Sequence, residues 1–203
     1  AYQSAWLRHH YPTEFYVALF NNQPMGFYSL DALGRDARRN GIQTLLPHIN
    51  KSDVVCTVDG TDLRIGLGFV RNWGTEIAEH IVKERRRNGP YISLTDFLRR
   101  TPSELQRPAI ENLIWVGGFN EFGLTRRELL WQAGLWLGPD TNNTCKRSRN
   151  NHAQTELALG NPYESLSFPE VAQTEQLIAE YQMLHFSTEL HPLSLLKNVL
   201  PKD

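Results

Sequence analysis

Apolar positions between residues 2 and 20 recur at helical spacing, carried by Trp6, Leu7, Phe15, Val17, Ala18 and Leu19. Pro12 restarts this pattern, because proline is tolerated in a first helical turn and not in an interior. Asn21 to Tyr28 lose the period and hold Pro24 and Gly26, which predicts a loop. Ser29 is a suitable cap for a helix that runs to Asn40 and Gly41, a C-terminal stop. The period then shortens. Val54 to Val58 and Thr61 to Ile65 flank Asp59–Gly60, a dipeptide that tolerates positive φ at both positions and predicts a hairpin with a type I′ turn. Helical spacing returns from Gly66 to Trp136, with Pro108 at a helix start, Ser93 and Thr125 as N-caps, and Glu128 completing a capping box with Thr125. Residues 138–169 are polar and read as a linker. Glu170 to Met183 are helical again, His191–Pro192 ends that helix, and Leu193 to Val199 add a short apolar turn. The expected class is mainly α with a small β-hairpin or sheet, an α+β fold.

Composition narrows the picture. With 203 residues, 40% hydrophobic, and five tryptophans, the chain can bury a core. The net charge of −1 points to no partner, but it averages two opposite regions. Leu63 to Arg107 carry nine Lys or Arg against five Asp or Glu, whereas His152 to Asp203 carry two against seven. Cys56 and Cys145 stand far apart without a metal or redox pattern. No apolar run reaches membrane-spanning length and no leader layout opens the chain, so a cytoplasmic, monomeric protein with no membrane partner is expected. Because helical patterning starts at the first residues, the chain reads as a piece of something longer.

The densest chemical signal lies from Ile65 to Arg87, which predicts two short helices joined by a tight hairpin. Phe69, Val70, Trp73, Ile77, Ala78, Ile81 and Val82 are spaced to pack them together. Gly74 directly precedes a helix, whose first N–H groups lack internal acceptors and carry the positive end of the helix dipole. A phosphate oxygen is stabilised there without any base contact. Asn72 suits a left-handed turn position, and Arg71, Lys83, Arg85, Arg86 and Arg87 attract a polyanion. The competing reading is a plain helical hairpin with a solvated basic face. The expected DNA contacts in this hairpin are Arg71, Asn72, Trp73, Gly74, Thr75, Glu76, Lys83, Arg86 and Arg87. Leu113 to Trp131 repeat the order of helix, glycine turn and arginines, and add Gly117, Gly118, Arg126 and Arg127 as a second set.

Other chemistries find no support in the pattern. His9, His10, His152, His185 and His191 are scattered outside any zinc spacing, so no metal site is expected. Neither a dinucleotide fingerprint, a P-loop nor a nucleophile elbow occurs, and Asp31 and Asp36 are spaced poorly for one helical face. No catalytic residue and no cofactor are expected in this chain. Trp131 and Trp136 read as core and rim.

Several segments resemble the bacterial family C DNA polymerases, the DNA polymerase III alpha subunits. Residues 1–15, the run Asp36 to Ile42, Leu46 to Ser52, Ile65 to Val70, Leu113 to Asn120, Arg126 to Leu130 and Leu190 to Leu193 follow that family in order. Asn21 to Tyr28 are similar to its error-prone branch. The resemblance implies the C-terminal part of the fingers over 1–62, a tandem helix-hairpin-helix domain over 63–137 that contacts duplex DNA, a linker over 138–169, and a helical segment over 170–203 leading to an OB-fold outside the chain. It implies that the catalytic aspartates and the Mg²⁺ of the polymerase lie upstream, in a palm this chain lacks. The family hairpin often has glycine where this chain has Asn72. A sliding clamp is the alternative partner, docking through Gln154, Leu157 and Leu159, although the usual terminal phenylalanine is missing. Two functions of different class follow: a DNA-positioning segment, or a protein-interaction module built on the linker and acidic tail. Arg8, His9, Arg35, Arg38 and Arg39 are further basic candidates in the fingers portion.

Overall fold

The computed structural model describes residues 2–25, 28–102, 104–137 and 168–188. Helix α1 spans Tyr2–His10 and α2 spans Pro12–Asn21, with Pro12 in its first turn. Helix α3, Leu30–Arg39, starts where the Ser29 hydroxyl accepts a hydrogen bond from the Ala32 amide at 3.2 Å. It stops at Asn40, after which Gly41 takes a φ of +82° that a side chain would resist.

Three short strands follow: β1 (Thr44–Leu45), β2 (Thr57–Asp59) and β3 (Asp62–Arg64). They form a sheet in the order β1-β3-β2, with β1 parallel and β2 antiparallel to β3. Asp59 faces Asp62, so the two-residue turn is Gly60–Thr61, one position later than the sequence suggests. Gly60 has a φ of +66° and no positive φ occurs at Thr61. One glycine at the first turn position is what a II′-type hairpin needs, whereas the expected I′ turn needs positive φ at both. The strand β1 escaped the sequence reading because two residues show no period.

A three-residue 3-10 turn, Leu67–Phe69, leads into the first hairpin. The expected pair of helices is therefore one 3-10 turn and one full helix, α4 (Thr75–Asn88). Gly66 has to be small here. A Cβ on it would stand 2.4 Å from the Val55 carbonyl carbon and 2.5 Å from the Val54 oxygen. Among the described residues, helices α5 (Leu94–Arg100), α6 (Arg107–Trp115), α7 (Arg126–Leu137) and α8 (Gln173–Leu184) follow. The Ser93 hydroxyl caps α5 through the Asp96 amide.

One hydrophobic cluster runs from Tyr16 and Phe20 through the sheet to Phe119 and Leu129. At its centre Phe97 stacks with Trp73, with ring centroids 6.4 Å apart, and meets the edges of Tyr91 and Phe119 at 5.2 and 5.1 Å. A boundary between residues 62 and 63 would cut β3. The two portions are also pinned across it: Ser52 donates its hydroxyl to the Ile65 carbonyl at 2.7 Å, and Arg85 donates to the Ile49 carbonyl at 2.6 Å. The C-terminal portion folds back as well. Helix α8 packs on α6, Tyr181 donates its hydroxyl to Asp31 at 3.1 Å, and Phe186 meets Phe20 edge-on. Glu180 is buried, accepting hydrogen bonds from the Ser187 hydroxyl and the Thr188 amide at 2.9 and 3.2 Å.

Candidate nucleic-acid interface

The hairpin from Val70 to Gly74 carries the sharpest geometry on the surface. Asn72 is exposed and holds a φ of +68°, the left-handed region where asparagine is the best-tolerated non-glycine residue. Gly74 takes φ +64° and ψ 152°, which only glycine adopts readily, and a Cβ built there meets nothing within 4 Å. The backbone beside α4 is thus open. No side chain caps this helix, while its first backbone bond runs from the Ala78 amide to the Gly74 carbonyl. The amides at the start of α4 face an open approach, with Thr75 and Glu76 exposed beside them. Donors fixed in this way suit an anionic oxygen. The Glu76 carboxylate lies in the same turn and opposes a polyanion coming too close on that side.

The hairpin is held from behind by three hydrogen bonds. The Asn112 side-chain amide on α6 donates to the Arg71 carbonyl at 2.8 Å. The Trp73 indole donates to the Ala109 carbonyl at 2.7 Å. The Arg71 amide donates to the Met183 carbonyl at the end of α8, at 3.2 Å. Trp73 is fully buried, which corrects its place among the expected DNA contacts. The large apolar ring gains more from the core than from a polar surface, and its one polar atom finds a partner inside.

The basic residues spread out rather than converge. Arg71 and Arg87 are exposed. Lys83 pairs with Glu79 at 2.9 Å, and Arg86 with Asp53 at 2.6 Å. Both pairs are solvent-exposed and stabilise little, so a phosphate can replace either carboxylate at small cost. Arg86 and Arg87 sit twelve and thirteen residues beyond Gly74, about 18 Å along the helix axis. They and the hairpin cannot hold one phosphate, but they can meet separate phosphates of one duplex. Arg85 does other work. It is half-buried and donates to the Ile49 carbonyl at 2.6 Å.

The second hairpin differs from the first. Gly117, at φ +80°, and Gly118 are both buried. A Cβ on Gly118 would strike the Leu113 side chain at 2.4 Å, and its carbonyl accepts the Ile49 amide at 2.9 Å. These glycines permit close packing and offer no open backbone. The start of α7 is already capped: the Thr125 hydroxyl accepts from the Glu128 amide at 3.3 Å, and the Glu128 carboxylate accepts from the Thr125 amide at 2.7 Å. That bond holds the Glu128 carboxyl below its ordinary range. The protein's own hydroxyl and carboxylate thus take the Glu128 and Thr125 amides at this helix start. Arg126 folds back toward Gly117, where a Cβ would lie 3.0 Å from its guanidinium, and Arg127 pairs with Glu175 of α8 at 3.3 Å. The first hairpin is open and the second is packed.

The loop His48 to Ser52 joins the parts around this interface, and no local pattern in it pointed to a role beyond resemblance. His48 accepts the Asn50 amide on Nδ1 at 3.1 Å and faces Glu121 through Nε2 at 3.3 Å, while Asn50 exchanges two hydrogen bonds of 2.8 Å with the Tyr91 backbone. Burial pushes the His48 pKa down, and Glu121 opposes that only in part. Asn112 carried a readable signal, a lone amide on the apolar face of α6. Met183 carried none, since its carbonyl does the work.

Among the described residues, no three His, Cys, Asp or Glu side chains gather to hold a metal ion, and no helix is long and apolar enough to cross a membrane. Gln154, Leu157 and Leu159 lie outside the described residues.

Residues 41–129 match the helix-hairpin-helix motif family. Proteins named error-prone DNA polymerase align with most of the chain. That of Mycobacterium tuberculosis strain H37Rv is 45% identical over 135 residues, 66% of this chain and 12% of its own length. That of Corynebacterium diphtheriae is 36% identical over 203 residues, 98% of this chain and 17% of its own length. That of Methylococcus capsulatus is 32% identical over 225 aligned positions, covering all of this chain and 20% of that protein. The chain thus spans about an eighth to a fifth of these relatives.

Proposed function

We propose, from the premise that this chain is homologous to the helix-hairpin-helix region of the error-prone, family C DNA polymerases, that it grips duplex DNA by its phosphate backbone for a polymerase whose chemistry lies elsewhere. The observation that carries this reading is the uncapped start of α4 behind the open, left-handed Gly74. Amide donors fixed at a helix start hold a phosphate oxygen whatever base it carries. Arg71, Arg87 and the exchangeable Lys83 and Arg86 add attraction that draws the duplex onto this face. The second hairpin supports the first by packing. In this reading, nucleotidyl transfer and its Mg²⁺ belong to a palm outside this chain, in a cytoplasmic enzyme of error-prone synthesis.

A salt titration of duplex binding by the 203-residue chain tests the proposal. Affinity should fall steeply with salt, by a slope of about −0.9 for each phosphate neutralised, and should be alike for unrelated sequences. Gly74→Leu combined with Arg86→Glu and Arg87→Glu should abolish binding. A variant that binds as the parent does would remove the reading. The clamp alternative is tested separately by deleting residues 154–159, which should abolish clamp binding and spare the duplex if that docking exists.

A further inference from the structure

We infer that Asn112 is a positioning residue for the phosphate-binding hairpin: its side chain, reaching from the second motif's α6, holds the Arg71–Asn72 peptide in the orientation that a non-glycine residue at 72 would otherwise resist. This rests on the DNA-binding reading above and adds a part to it.

Three observations carry the inference. Asn72 sits at φ +68°, a region that disfavours any residue with a Cβ. The carbonyl of the residue before it receives the Asn112 amide at 2.8 Å, and the same residue's amide is fixed to the Met183 carbonyl at 3.2 Å. The Asn112 bond therefore holds the peptide plane entering Asn72, and the Met183 bond holds the plane before it, so the turn has little freedom to rotate. Asn112 is itself 7% exposed, on a helix face otherwise made of Ala109, Ile110, Leu113 and Ile114. A polar side chain in such a place is disfavoured unless it is bonded. Two residues beyond Asn72 the chain reaches Gly74 and the open amides of α4. A rotation of the peptide before Asn72 would swing those donors off a bound phosphate.

The clamp and the turn residue are thus two halves of one device. With glycine at 72, the left-handed turn forms without strain and needs Asn112 less. With asparagine, the bond from α6 holds it. This links the packed second motif to the open first one: α6 presents the side chain that sets the other motif's backbone.

The test is a double-mutant cycle in the 203-residue chain. Asn112→Leu keeps the branched shape, in a somewhat larger side chain, and removes the donor. It should weaken duplex binding about five- to tenfold, the share expected of one buried hydrogen bond, and make the salt slope shallower by about one phosphate's worth. Amide exchange at Trp73, whose N–H is bonded to the Val70 carbonyl at 3.2 Å, should speed up while exchange in α5 stays unchanged. Adding Asn72→Gly should restore affinity, slope and exchange. An Asn112→Leu chain that binds and exchanges as the parent does overturns the inference. So does a loss that Asn72→Gly fails to restore, since general damage to α6 would not respond to residue 72. If the parent chain binds no duplex, the DNA reading fails while the exchange measurements still decide whether Asn112 holds the turn.

Discussion

The Trp73 indole donates to the Ala109 carbonyl at 2.7 Å, tying the first hairpin to α6, the helix that precedes the second. The ring is fully buried and stacks on Phe97, so its side chain joins hairpin position to core packing. Trp73→Phe should cost about 2 kcal/mol through the lost hydrogen bond and the space left by the smaller ring. Urea unfolding of the two chains measures it. A lower midpoint at unchanged slope is the expected result.

Where Trp73 points shows how far the sequence could be read. Its spacing with Val70 and Ile77 marks it as a packing residue, and its place between Asn72 and Gly74 marks it as a tip residue. Both patterns are local, and only the neighbouring α6 decides between them. Local features were legible: Ser29, Ser93, and the Thr125–Glu128 pair cap the helices their spacing suggests, because a cap is complete within four residues. The left-handed Asn72 was legible for the same reason. The disposition of the arginines was not. Arg85, Arg86 and Arg87 are adjacent and chemically alike, yet they respectively bond the Ile49 carbonyl, pair with Asp53, and face solvent. Partners more than thirty residues away make that difference. The second hairpin repeats the first in composition, and its glycines turn out to be packing glycines only because Leu113 and Ile49 lie against them.

The Gly66 position offers a steric prediction free of backbone strain. Its φ of −73° is open to any residue, yet a Cβ there would stand within 2.6 Å of three backbone atoms of Val54 and Val55. Backbone cannot move aside as a side-chain tip can. Gly66→Ala should therefore destabilise the fold by about 1–3 kcal/mol. Gly60→Ala should cost less, because only its positive φ is strained and nothing lies within 4 Å. Thermal unfolding of the two variants side by side checks the order.

His48 gives the fold a pH dependence of known sign. Burial holds its pKa below the ordinary value of 6.5, and the Asn50 amide donates to Nδ1, a bond that a proton there would break. The unfolded chain therefore takes up a proton more readily than the folded one. Stability is fully present above about pH 6.5 and falls as pH drops toward the lower folded value. Lys51, Arg64 and Arg85 reinforce this direction, and Glu121 works against it. Denaturant unfolding between pH 7.5 and about 5.5 should show the decline, above the range where carboxylates titrate. In His48→Gln the decline over that window should flatten. Glu121→Gln should steepen it, since the one group favouring the protonated ring would be gone.

The capping box at α7 separates the two hairpins experimentally. The Glu128 carboxylate accepts the Thr125 amide at 2.7 Å, and the Thr125 hydroxyl accepts the Glu128 amide in return. Glu128→Ala removes the carboxylate and frees the Thr125 amide, while the Thr125 hydroxyl still caps the helix. Two effects should follow in opposite directions. The fold should lose about 1 kcal/mol, as expected when a cap is removed. Duplex affinity should hold or rise, because the Thr125 amide is free to face the polyanion and one negative charge has gone. The same substitution would weaken duplex binding if the intact second hairpin were itself a grip that needed its capped geometry. Measuring stability and duplex affinity on one preparation distinguishes the two. A less stable chain that binds DNA at least as well assigns the grip to Gly74 and the start of α4.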